Sequence, residues 1–417
     1  MNKQILIVVD SINVNDSSGS KANVALIKNL AAVGYVVTVL HFTQKKIQLE
    51  GVECISIKER KYNILYFLSR TQRVIQRYFK INLATNLESV FGFSFTFFND
   101  VNSIELAVKK LNTSKFDLII TLSKGASFRP HYAVNKIPNL YSRWMAYVHD
   151  PFPFSCYPNP YDWKEPGHKK KQFFFKLVSE NAKFSAFPSL LLRDWMGNYF
   201  PNFVRTGIII PHQSFEELST YIEKPNYFDE TKFNILHAGN LMKQRNPVGL
   251  IRGFELFLKN KPEAKMDSRL LLLGNADFHK ESINKFVPNL PELFIKLTNV
   301  PFNEVYWLQK HVSVNVILEA KSEISPFLPG KFPHCISANK LILHLGPKHS
   351  ETMRLLGENY EYWAEIDNVK TISIILEKLY NKWLNSAKTM RLNRPDLESY
   401  LGKKYLKEQL EKVFDND

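Results

Sequence analysis

Short apolar runs alternate with amphipathic stretches through the first half of the chain. Ile5–Val9 is apolar and closed by Asp10, and Asp10–Ser20 is a polar loop containing Gly19. Over Lys21–Val33 the residues Val24, Ala25, Ile27, Leu30 and Ala31 recur at helical spacing, and Gly34 follows as a C-terminal cap. Tyr35–Leu40 is apolar again. This alternation predicts a strand–helix–strand unit, hence a parallel sheet with right-handed crossovers. Phe116–Leu122, Trp144–Val148, Phe184–Phe187 and Gly207–Ile210 continue the series. A second series begins after Pro225, with strands expected at Phe233–Ala238, Leu270–Leu273, Val312–Leu318 and Leu341–Leu345 and a helix over Asn246–Lys259. The polar segment Phe215–Asp229 is the expected linker. From Val369 to about Phe414 the pattern is helical, with a break near Asn393–Pro395. The expected fold class is therefore α/β, with two doubly wound, Rossmann-like domains at 1–213 and 230–395. Residues 396–417 form a C-terminal helix expected to return to the first domain. Ligands of such sheets bind beyond the carboxyl ends of the strands, so the active site is expected where the two sheets face each other across a cleft.

Composition narrows the class. A chain of 417 residues exceeds what one core usually serves. With 45% hydrophobic and 23% charged residues it resembles ordinary soluble domains, not disordered or fibrous chains. No apolar stretch approaches the roughly 20 residues that cross a bilayer, and Ile5–Val9 is too short for a secretory leader. Cys54, Cys156 and Cys335 lie far apart, which excludes a disulfide scaffold and a cysteine zinc site and points to a reducing, cytoplasmic setting. The net charge of +15 suits an acidic partner, whether anionic lipid, phosphorylated substrate or nucleic acid. No nucleic-acid motif accompanies it, so nucleic acid is not expected. Part of the excess is equally explained as solvated surface.

Two segments of the second domain carry the clearest chemistry. In HAGNLMKQRNP, His237–Pro247, a strand runs into Gly239, then a loop with Lys243 and Arg245, then a helix near Asn246–Pro247. Glycine permits close backbone approach, and two cations beside a helix start suit a diphosphate. In SEISPFLPGKFPHCISANKLIL, Ser322–Leu343, a proline-stiffened loop leads into a helix at about Lys331. Its amides and the helix N-terminus again favour phosphate. The first domain offers Gly19 for close approach to donor phosphates or acceptor. It also offers RWMAYVHDPFP, Arg143–Pro153, where a strand ends at His149 with Asp150 to orient the ring or cap the loop. Among motifs of other chemistries, there is no Walker A loop, no G-x-S-x-G and no H-E-x-x-H. The only D-x-D is the terminal Asp415-Asn416-Asp417, so chemistry without a metal ion is expected.

The pairing of AGNL–K–R–NP with SPFLPGK–helix–ANKLIL resembles the C-terminal domain of family 4 glycosyltransferases, in particular a bacterial branch that builds surface polysaccharides such as O-antigen and capsule. The resemblance covers the chain in outline and is specific from about residue 233 to 346. It implies a GT-B architecture and an enzyme transferring a hexose-like sugar from a nucleoside diphosphate sugar to a glycan or lipid-linked glycan hydroxyl. Anomeric configuration would be retained, with no cofactor beyond the donor itself. It puts the donor on Gly239, Lys243, Arg245, Glu323, Ser325, Pro326, Phe327, Leu328, Lys331 and His334, and the transferred sugar on His149. The sequence departs from the family's pair of glutamates with seven residues between them. Anchored on the helix, those positions fall on Pro326 and His334; anchored on Glu323, the partner is Lys331. The G-x-P-V-I turn before the last strand reads Ala338-Asn339-Lys340-Leu341-Ile342. Basic residues interleaved with aromatics, over Lys58–Lys80 and in HKKKQFFFK, His168–Lys176, suit the inner face of an anionic membrane. Two other functions stay open: a nucleotide-sugar epimerase on the same fold, and a non-catalytic partner subunit on a degenerate scaffold.

Overall fold

A computed structural model describes residues 2–79, 83–161, 163–214, 223–386 and 389–415. Most of the expected linker lies outside the described residues, as do Lys80, Asn416 and Asp417. The chain divides into two compact units. The first comprises Met1–Tyr157, Tyr161–Phe215 and Tyr400–Asp417, and the second Pro158–Pro160 and Glu216–Ser399.

Unit 1 is built on a seven-stranded parallel sheet of β1 (Gln4–Val9), β2 (Val36–His41), β3 (Glu53–Ser56), β4 (Leu118–Leu122), β5 (Trp144–Tyr147), β6 (Phe184–Phe187) and β7 (Gly207–Ile209), in the order β3-β2-β1-β4-β5-β6-β7. Successive side chains of a strand point to opposite faces, so β1 feeds two cores. Ile5, Ile7 and Val9 pack with Val24, Ile27 and Leu30 of helix Ser18–Ala32 and with Leu406, Leu410 and Val413 of helix Lys403–Asp415. Leu6 and Val8 pack with Phe97, Val101 and Ile104 of helix Phe95–Lys110. Each such buried side chain contributes roughly 1.5–3 kcal/mol. Two side-chain bonds brace the sheet: Trp144 Nε1 donates to Thr121 Oγ1 of the neighbouring strand at 2.9 Å, and the Tyr147 hydroxyl donates to the carbonyl of Ile210, just past β7, at 2.6 Å.

Unit 2 repeats the plan with β8 (Phe233–Ala238), β9 (Ser268–Leu273), β10 (Leu293–Lys296), β11 (Val314–Leu318), β12 (Ile324–Ser325), β13 (Leu341–Leu345), β14 (His349–Ser350) and β15 (Trp363–Ala364). Six of them form a parallel sheet in the order β10-β9-β8-β11-β13-β15, and β12 pairs with β14 separately. Helices Val248–Asn260 and Val369–Asn385 cover one face, burying Phe254, Phe257, Leu376 and Trp383. The turn into β13 places Asn339 at φ 51°, a left-handed conformation that asparagine tolerates.

Several boundaries differ from expectation. The first helix starts at Ser18, because the Ser17 hydroxyl caps it by accepting from the Ser20 amide at 3.1 Å. Gly19 is thus in a helix, not a loop. The edge strands β3 and β10 are short and partly exposed, and were not among the expected strands.

Candidate functional site

In unit 2 the order of strands reverses between β8 and β11, the position where open α/β sheets bind ligands. Gly239 ends β8 with φ +150°, and Gly274 ends β9 with φ +116°. The two backbones touch: a Cβ on Gly274 would meet the Gly239 carbonyl oxygen at 2.6 Å. A Cβ on Gly239 would lie 2.9 Å from the Lys331 amine, so glycine is what leaves that amine its place. Lys331 caps the short helix Phe332–Ser337, and its Nζ is 3.4 Å from Nδ1 of His237. Burial pushes the amine down to about 7, with the Arg245 charge adding to the effect and Cys335 and Glu319 opposing it. His237 is held well below the usual histidine value by burial, then by Lys331 and Arg245, so it is neutral. Its Nε2 and the Nε of Arg245 are buried with no hydrogen-bond partner. Leaving such groups unpaired costs about 1–3 kcal/mol each, and a ligand oxygen would relieve both.

One step beyond β11, Glu319 is buried beneath the Ser325–Lys331 loop. It accepts from Thr352 Oγ1 at 2.7 Å, from His344 Nε2 at 2.9 Å and from the Ser325 hydroxyl. Burial alone would raise its carboxyl, but the bonds from His344, Ser325 and Thr352 outweigh that and hold it below the ordinary glutamate value. The result is a fixed carboxylate that positions the loop carrying Lys331.

Gly239, Arg245, Ser325 and Lys331 are therefore brought together, joined by His237 and Glu319. Pro326 and Leu328 are buried in the same loop and Phe327 is half-buried. His334 packs its ring against Phe302 and Tyr306, with centroids 4.9 and 5.6 Å away. Lys243 and Glu323 face solvent. A cavity of about 580 Å³ in unit 2 opens at the other end of β13, lined by Leu341, Tyr360 and Arg394. Arg394 is already engaged there by Asp396 and the carbonyls of Leu355 and Leu356.

In unit 1, His149 follows β5 and is buried. Its ring lies 4.4 Å from Tyr147 and is stacked 5.8 Å from His212, centroid to centroid. Both ring nitrogens lack a hydrogen-bond partner. Asp150 therefore does not orient the imidazole by hydrogen bonding; aromatic packing does. Burial, then the neighbouring His212 and His131, keep the ring neutral. A separate cavity of about 290 Å³ lies past β1, β2 and β4, lined by Asp10, Asp16, Thr43, Asp100, Lys124 and Arg129. Its charges are paired within it: Arg129 with Asp100 at 2.9 Å and Lys124 with Asp16 at 3.2 Å. Asp10 accepts from the Lys124 amide at 3.0 Å and from the Ser127 hydroxyl. Burial pushes Asp100 up to about 6 against the pull of Arg129. The lining sets three carboxylates, Asp10, Asp16 and Asp100, against two cations, Lys124 and Arg129, with burial raising the Asp10 carboxyl, and it offers the hydrogen-bond donors and acceptors that a hydroxyl-rich ligand uses. Gly19 packs against the Gly125 backbone, where an added Cβ would lie 3.3 Å from the Gly125 nitrogen, and is not among the residues lining the cavity of about 290 Å³.

His237, Glu319, Asp10, Asp100 and His212 were not among the expected site residues. For Asp10, His237 and Glu319 the signal was an ionisable residue at, or just past, the end of a buried strand; Asp100 lies within helix Phe95–Lys110 and gave no such signal. Among the described residues, no group of three or more His, Cys, Asp and Glu side chains is arranged to hold a metal ion.

No family model matches the sequence, and no curated protein sequence matches it. Solved structures share the fold over the full chain. Anabaena HepE, in complex with UDP and glucose, superposes with a TM-score of 0.63 at 11% identity, covering 100% of both chains. A UDP-forming trehalose-phosphate synthase from Burkholderia xenovorans gives 0.64 at 10% identity, covering 100% of this chain and 99% of that one. The trehalose-6-phosphate synthase OtsA gives 0.63 at 9%, with the same coverage. The chain has the GT-B fold, two Rossmann-like domains in one polypeptide.

Proposed function

We propose that the protein is a cytoplasmic glycosyltransferase that moves a sugar from a nucleoside diphosphate sugar to a hydroxyl of a glycan or lipid-linked glycan. The observation that carries this is the set at the ends of β8 and β11. The Lys331 amine, with its pKa lowered to about 7, sits beside Gly239 and against Nδ1 of His237 with the Arg245 charge acting on both, and Arg245 Nε and His237 Nε2 are buried without a hydrogen-bond partner. These groups want an anion with several oxygens, and a diphosphate supplies one. Neighbours of the same fold are described with UDP bound or as UDP-forming, which makes UDP sugars the first donors to try.

In this mechanism Lys331 and Arg245 meet the charge that builds on the departing diphosphate, preorganised in place of a metal ion. The donor phosphate draws a proton onto Lys331. Glu319 holds the loop while this happens. The paired charges of the unit 1 cavity hold the acceptor sugar, and the neutral His149 imidazole hydrogen-bonds the transferred sugar. Retention of configuration, with the departing phosphate oxygen taking the acceptor proton, and a place in bacterial surface-polysaccharide assembly rest on the family 4 resemblance.

The test is release of nucleoside diphosphate from a panel of nucleotide sugars, with and without glycan acceptors. Release from one donor, abolished in Lys331→Gln, supports the proposal. Absence of release from every donor, by protein that binds the nucleotide, would identify a non-catalytic subunit instead.

A further inference from the structure

Helix Ile64–Phe79 in unit 1 is mounted the wrong way round for a soluble protein. Its two fully buried residues are polar, Ser69 and Gln72 at 1% and 8% exposed, while Leu65, Tyr66 and Ile75 are half-buried. At 3.6 residues per turn its apolar residues Ile64, Phe67, Leu68, Val74, Tyr78 and Phe79 fall on one side of the helix and form a stripe. That stripe faces solvent, with Ile64 75%, Phe67 60% and Phe79 69% exposed. The helix contains no acidic residue, and Arg70, Arg73 and Arg77 stand exposed beside the stripe. Lys58, Arg60 and Lys61 just before it are exposed as well.

Neighbouring elements extend the surface. Helix Leu83–Phe91 packs against it and exposes Val90 and Phe91. Helix His168–Asn181 abuts that one: Lys170 Nζ donates to the Val90 carbonyl, and Lys171 bonds Glu88 at 3.2 Å. The sequence HKKKQFFFK is split by this packing. Phe174, Phe175 and Lys171 turn inward, correcting the expectation that the whole segment is surface, while Lys169, Lys170 and Phe173 stay outside.

We infer that this face docks on an anionic lipid surface, the apolar stripe entering the headgroup–acyl boundary and the arginines contacting lipid phosphates. An amphipathic helix with cations flanking exposed aromatics has the chemistry of an interfacial element. The same charges disfavour a second copy of the chain, because a two-fold contact through the stripe would set two rows of arginines together. Among the described residues no helix is long and apolar enough to cross a membrane, so the surface lies on the bilayer. The inference stands independently of the proposed reaction.

The test is flotation of the full chain with phosphatidylcholine vesicles, with and without about one-third phosphatidylglycerol. Binding at least tenfold stronger to the anionic vesicles and weakened by salt is expected. Phe67→Asp with Phe79→Asp should lower that binding at least tenfold at an unchanged melting temperature, since both side chains face solvent. Arg73→Gln with Arg77→Gln should remove most of the salt dependence while leaving the fold intact. No binding to anionic vesicles, or equal binding by the wild type and the aspartate variant, overturns the inference. So does a dimer in sedimentation velocity that dissociates on the aspartate substitutions without any vesicle binding.

Discussion

The Lys331 amine lies 3.4 Å from Nδ1 of His237, two basic groups facing each other with Arg245 beside them. Bringing like-natured groups together under burial keeps the histidine neutral and leaves the lysine near the point of losing its proton. A diphosphate bound there favours the charged amine. Nucleotide binding should therefore take up a proton, and affinity should fall as pH rises through about 7, where the free amine becomes neutral. Titration calorimetry with UDP at about pH 6 and about pH 8.5, in buffers of different ionisation enthalpy, reads both effects. A pH-independent affinity with no proton uptake contradicts the role given to Lys331.

Glu319 is a buried carboxylate with three donors aimed at it. Glu319→Ala strands those donors and should cost about 1–3 kcal/mol of stability for each buried donor left unsatisfied. Glu319→Gln keeps the shape and one acceptor, so it should cost less and loosen the Ser325–Lys331 loop, weakening nucleotide binding about tenfold. Thermal unfolding and nucleotide titration of the two variants separate the structural from the positioning effect. Identical behaviour of both variants and the wild type would count against it.

How far the sequence could be read follows from these residues. Strands such as Phe233–Ala238 and Leu341–Leu345 are buried throughout and mostly apolar, as expected of a parallel sheet covered on both faces, so their runs announce them. Gly239 and Lys331 stood out because a glycine after a strand and a lysine in a proline-stiffened loop have few other uses. Glu319 was hidden because its meaning lies in Thr352 and His344, distant in sequence and joined only by folding. The cavity of Asp10, Asp100 and Arg129 was hidden for the same reason, its members coming from three separate segments. The inverted helix Ile64–Phe79 was half visible. Its composition could be read, but which face it buries depends on the polar surface it packs against.

His149 should matter to turnover more than to nucleotide affinity, since its free nitrogens are proposed to serve the reacting sugar. His149→Ala should lower kcat by roughly 10²-fold, comparable to losing one positioned catalytic group, with the UDP dissociation constant little changed. Steady-state kinetics with donor and acceptor, alongside nucleotide titration, provide the check. Near-wild-type kcat in a folded variant would make it a packing histidine.

His131, His149 and His212 predict acid sensitivity of unit 1. Burial pushes His131 down to about 3 and His212 to about 4, and His149 well below its ordinary value. Once unfolded they protonate near 6.5, so the unfolded state binds more protons below that pH. Stability is complete above about 6.5 and should fall as pH drops, by about 1.4 kcal/mol per pH unit for each histidine, until the folded values are reached. Melting temperatures between about pH 7.5 and 5 should decline, with a shallower slope in His212→Phe. A flat profile over that range contradicts the neutral, buried cluster.

The most direct measurement is calorimetric titration of the wild type, Arg245→Ala and Lys331→Gln with UDP and a panel of nucleoside diphosphate sugars. If the groups beyond β8 and β11 hold a diphosphate, at least one of these ligands binds the wild type. Arg245→Ala should then weaken it by about 1.5–3 kcal/mol, the range for a charged hydrogen bond, and Lys331→Gln by a comparable amount. Binding that survives both substitutions unchanged, or no binding by any nucleotide of the panel, would contradict the assignment of this site.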